Sequence, residues 1–79
     1  MEETIRIRAI ERQDWDTVLE KFAAENLEQV LEVLYSDGQK VGIICESQDG
    51  KCYINGHPEI DYFSLQAAAT ALMKGELKN

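Results

Sequence analysis

The sequence predicts an α+β fold: a small antiparallel sheet of three to four strands packed with two helices, in the order β-α-β-β-β-α. Two observations predict it. Apolar residues recur at period two near the N-terminus and through the middle of the chain, and at spacings of three and four in two other stretches. Between the period-two stretches stand strong turn signals, Ser36-Asp37-Gly38-Gln39 and Glu46-Ser47-Gln48-Asp49-Gly50-Lys51. The alternative order, β-α-β-β-α, follows if a single long helix runs from 14 to 35.

Thr4 to Ile10 alternates, with Ile5, Ile7 and Ala9 on one side and Arg6, Arg8 and Ile10 on the other, as a half-buried strand does. From Asp14 the period changes. Trp15, Val18, Leu19, Phe22, Ala23 and Leu27 mark the apolar stripe of an amphipathic helix, with Asp14 or Asp16 placed to cap it and to complement its dipole. The helix is expected to stop near Asn26 and Val30 to Tyr35 to form a strand, which gives the following hairpin a sheet to join. That hairpin spans about 40 to 55. A four-residue loop, Ser47 to Gly50, would set Cys45 opposite Cys52 and Glu46 opposite Lys51, with Val41, Ile43, Cys45, Cys52 and Ile54 on one face. Asn55-Gly56-His57-Pro58 reads as a connecting loop. Phe63 and Ser64 then read as staple and cap of a helix from Leu65 to Lys74, ended by Gly75, whose stripe of Leu65, Ala68, Ala69 and Leu72 allows close approach to the sheet.

At 79 residues without a linker or repeat, the chain is expected to be one domain, 1–79. Fifteen Asp and Glu against eight Lys and Arg give a formal charge of −7, which argues against direct nucleic-acid binding through phosphate neutralisation. No apolar run approaches the roughly 20 residues that cross a bilayer, so no membrane partner is expected. Met1-Glu2-Glu3 lacks a basic leader, and the expected compartment is the cytoplasm. Two cysteines and one histidine are too few for a disulfide scaffold or a four-ligand zinc site; no metal and no cofactor are implied.

The charge asymmetry peaks between residues 11 and 32, where Glu11, Asp14, Asp16, Glu20, Glu25, Glu28 and Glu32 face only Arg12 and Lys21. On a helix, Glu20, Glu25, Glu28 and Glu32 would form an acidic ridge suited to a basic protein surface, including one that receives nucleic-acid phosphates. Tyr53 and Ile44 lie on the sheet face opposite the cysteines in this register. If both helices cover the cysteine face, they form an exposed patch, with Ile10 beside it. The expected function is therefore a non-enzymatic interaction module, such as a small inhibitor or adaptor, with Glu20, Glu25, Glu28, Glu32, Ile44 and Tyr53 as protein-binding residues and no catalytic set. A decoy of a nucleic-acid enzyme is its concrete form. One alternative is a self-associating homo-oligomer; another is a redox or catalytic role for Cys45, Cys52 and His57, the last being the one side chain whose ordinary pKa lies near neutrality.

Overall fold

The computed structural model describes residues 4–75. Four strands form one antiparallel meander, β1 (Ile5–Ala9), β2 (Leu27–Tyr35), β3 (Lys40–Ser47) and β4 (Cys52–Ile54), in the spatial order of the sequence. A single helical turn, α1 (Trp15–Val18), lies between β1 and β2, and a nine-residue helix, α2 (Leu65–Met73), follows β4. The α+β class and the order β-α-β-β-β-α are therefore present, and the long helix from 14 to 35 is not.

The sheet is covered on both faces. On one face Val33, Ile44, Cys52 and Ile54 pack with Ala68, Ala69, Ala71 and Leu72 of α2. On the other, Val30, Ile43 and Cys45 pack with Trp15 and Leu27, flanked by Ile10, Val18, Leu19, Phe22 and Ala24 from the segment linking β1 to β2. Burial on both sides explains β2. A strand with one wet face alternates, whereas Val30, Leu31, Val33 and Leu34 are all buried, in an almost continuous apolar run that also imitates a helical stripe.

The segment expected to be a helix to Asn26 is mostly irregular. Its backbone leaves the helical region at Leu19 (ψ 136°) and turns left-handed at Lys21 (φ 66°), and a 3-10 turn at Ala24–Asn26 leads into β2. The expected stripe is nevertheless buried in part: Trp15 and Leu27 are in the core, with Val18, Leu19 and Phe22 packed around it. An irregular path delivers the same side chains because tertiary bonds replace helical ones. Asn55, 1% exposed, accepts from the Glu20 N–H at 2.8 Å through Oδ1 and donates from Nδ2 to the Val18 carbonyl at 2.7 Å. The Gly56 N–H adds a bond to the Glu20 carbonyl at 3.1 Å, and the Trp15 indole donates to the Ile10 carbonyl at 2.8 Å. Neither Asp14 nor Asp16 supplies the expected side-chain cap; Asp14 stands at the N-cap without such a bond.

The hairpin register differs from expectation by one residue. Cys45 pairs with Tyr53 and Glu46 with Cys52, because the loop is the three residues Gln48, Asp49 and Gly50 rather than four. Ser47 and Lys51 close it through a 2.9 Å backbone bond, Asp49 accepts from Ser47 Oγ and from the Lys51 N–H, and Gly50 takes φ +92°, the left-handed position such a loop requires. The slip sends Cys45 and Cys52 to opposite faces.

At α2 the cap is as expected: Ser64 Oγ accepts from the Ala67 N–H at 3.1 Å, and Gly75 at φ +73° ends the helix. Phe63 is no staple, being 90% exposed. The alanines let α2 lie close to the sheet. A Cβ at Gly42 would meet Leu72 Cδ2 at 2.6 Å, so glycine makes room for the helix there.

Candidate functional site

The strongest concentration of binding features lies on the irregular layer. Phe22 follows the left-handed Lys21, and its ring meets that of Tyr53 on β4 at 5.5 Å between centroids, tilted by 56°. This pair walls an open hollow of about 240 Å³, completed by Lys21, Ala23, Asn26, Leu27, Ser47 and Pro58. Gln48 fixes one side: its N–H donates to the Asn26 carbonyl at 3.3 Å and its side chain to the Glu25 carbonyl at 3.1 Å. The β3–β4 turn is thereby tied to the chain entering β2.

Glu20 adjoins Lys21 in the sequence, and Glu25 and Glu28 bracket Asn26 and Leu27; all three are exposed. They come from a loop, a 3-10 turn and a bulged position of β2 rather than from one helix face, so the expected acidic ridge does not form. None of the three lines the hollow, but each is the sequence neighbour of a residue that does, Glu20 of Lys21, Glu25 of Asn26 and Glu28 of Leu27. Glu32 belongs elsewhere. It faces Arg8 across the β1–β2 pair, with Arg8 Nη2 at 2.8 Å from Glu32 Oε1, beside a second open cleft of about 450 Å³ between β1 and α1. Lining that cleft with Arg8 and Glu32 are Glu11, Asp14 and Thr17.

Ile44 is fully buried beneath α2, which removes it as a contact residue. It lies opposite Cys45 as expected, but that face is covered by α2 rather than open to solvent. Tyr53 is half-buried and stays available at the hollow, on the same face as Cys45 rather than opposite it. Ile10 packs on the core of that face. Sequence reasoning missed Phe22 as the partner of Tyr53, because a helical reading puts it in the core stripe, and missed Asn55, which carries no sequence signal beyond its place after β4.

Cys45 and Cys52 are free, buried thiols in separate clusters. Burial pushes the Cys45 thiol up to about 12, and burial first, then the Glu46 carboxylate, raises that of Cys52, so both are protonated at neutral pH. His57 Nδ1 lies 3.2 Å from Glu59 Oε2, and Glu59 titrates below the usual carboxylate range through its own backbone bond and that histidine. Among the described residues no group of three or more His, Cys, Asp or Glu side chains is placed to hold a metal ion, and no helix is long and apolar enough to cross a membrane. Neither family models, nor curated proteins, nor solved structures match this chain.

Proposed function

We propose that this domain is a non-enzymatic, cytoplasmic protein-interaction module that docks on a basic surface of another protein, as a small inhibitor or adaptor would. The observation that carries this reading is the Phe22–Tyr53 hollow, three of whose lining residues, Lys21, Asn26 and Leu27, have the exposed Glu20, Glu25 and Glu28 as chain neighbours. An arginine of the partner can lay its guanidinium on the half-exposed rings while neighbouring carboxylates neutralise it, a contact that is both charged and amphipathic. Trading hydration for such pairing supports fast, steered association of a chain carrying −7. A nucleic-acid enzyme, whose phosphate site is basic by necessity, is a partner of this kind.

The test is capture of the partner from host lysate, followed by binding measured with the purified pair. Glu20→Gln, Glu25→Gln and Glu28→Gln together should weaken binding about tenfold, and raising salt from ~50 to ~500 mM should weaken the wild type at least as much. A variant with the same charge removed elsewhere, Asp37→Asn, Glu59→Gln and Asp61→Asn, should bind nearly as wild type. Equal losses in the two variants would reject the hollow as the docking site, and salt-independent binding would reject the basic partner.

A further inference from the structure

The two edges of the sheet are not equivalent. Along β4, Cys52 exchanges two main-chain bonds with Tyr62, at 2.9 and 2.7 Å, and the Ile54 carbonyl accepts from the His57 N–H at 2.9 Å. Residues 57–62 thus close that edge. Nothing among the described residues pairs with β1 on its outer side.

The phase of the β1–β2 ladder fixes what β1 presents. The Ile10 N–H donates to the Val30 carbonyl at 2.9 Å, so the bonded pairs two and four residues earlier are Arg8 with Glu32 and Arg6 with Leu34. The remaining residues, Ile5, Ile7 and Ala9, direct their N–H and C=O groups away from the sheet. An unpaired row of this kind is a template for another strand.

The side chains say which strand fits. Ile5, Ile7 and Ala9 lie on the α2 side, where α2 sits over β3 and β4 and leaves Ile7 42% exposed. Arg6 and Arg8 lie on the other side. Arg8 pairs with Glu32, and Arg6 makes no ion pair among the described residues. A second copy is a poor occupant: two-fold antiparallel pairing over the full strand sets Arg6 opposite Arg8 of the other copy on both sides of the axis, and like charges directly opposite destabilise a sheet. We propose that β1 is a docking edge that takes up an extended segment of another protein by strand addition, with acidic side chains over Arg6 and Arg8 alternating with apolar ones beside Ile7.

This edge lies apart from the Phe22–Tyr53 hollow, and its test does not depend on it. The probe is a short capped peptide of alternating valine and glutamate, with a valine–lysine peptide as its counterpart, and the readout is amide exchange by NMR. At about 1 mM the glutamate peptide should slow exchange of the Ile5, Ile7 and Ala9 amides, and the lysine peptide should not. Arg6→Glu should weaken the glutamate peptide about tenfold and admit the lysine peptide. Ile7→Pro removes the central outward donor without removing a bond to β2, and the folded variant should lose binding; where it does not fold, Arg6→Glu at its exposed site carries the test. The proposal is overturned by unchanged exchange with the glutamate peptide, by equal binding of both peptides, or by protection without peptide that grows with protein concentration, which would make the occupant a second copy.

Discussion

The two layers that cover the sheet reach the same end by different physics. α2 is made locally, from alanine-rich sequence, a serine cap and a terminal glycine, and it needs the sheet only to bury one face. The layer from Ile10 to Asn26 contains one helical turn and two 3-10 turns, and its shape depends on partners far along the chain, above all Asn55. A regular element can be exchanged in pieces. An irregular one, held by a few buried polar bonds, presents loops whose carboxylates and rings stand at the surface.

The comparison breaks most visibly at the irregular layer's anchors. Trp15→Ala empties a site 4% exposed and is expected to cost ~3–5 kcal/mol in urea unfolding, with the layer lost before the rest. Asn55→Ala orphans the Glu20 N–H and the Val18 carbonyl together, at about 2–4 kcal/mol, and amide exchange should rise in residues 11–26 before it rises in α2. On the α2 side the effects are smaller. Gly42→Ala drives a Cβ against Leu72 and should cost ~1–3 kcal/mol, an effect that shrinks in a Leu72→Ala background. Ser64→Ala should cost ~1 kcal/mol, and Phe63→Ser, at an exposed ring, no more than ~0.5 kcal/mol.

Alkaline titration sharpens the comparison at Cys45, which lies under the irregular layer. Its folded pKa is raised from 9.0 to about 12, so the thiol's contribution is complete below pH 9.0 and is lost as pH climbs towards 12. The slope approaches about 1.4 kcal/mol per pH unit, and Cys45→Ala should flatten it while lowering stability at neutral pH.

Much of this was readable in the sequence. The element order, the Ser64 cap, the Gly75 stop and the existence of the hairpin, though not its register, follow from local rules that the native contacts do not override. Two things were not readable. Hairpin loop length hung on whether Ser47 is the last strand residue or the first loop residue, and that single position put Tyr53 beside Cys45 and moved Cys52 and Ile54 to the Ile44 face, which α2 covers. The helical period of Trp15, Val18, Leu19 and Phe22 records which side chains face the sheet, yet it does not say that the backbone between them is helical. Asn55 decides that, from about thirty-five residues away in the chain. Of the expected binding residues, Tyr53 lines the hollow, Glu20, Glu25 and Glu28 are chain neighbours of residues that line it, Glu32 pairs with Arg8 of β1, and Ile44 is inside.

The measurement closest to the central claim is an NMR titration of the labelled domain with an arginine-rich peptide at physiological salt. The account predicts shifts confined to residues 20–28 and to the Phe22 and Tyr53 rings, abolished by Glu20→Gln, Glu25→Gln and Glu28→Gln. Shifts spread evenly over the acidic turns at 36–39 and 46–51, or none at that salt, would contradict it.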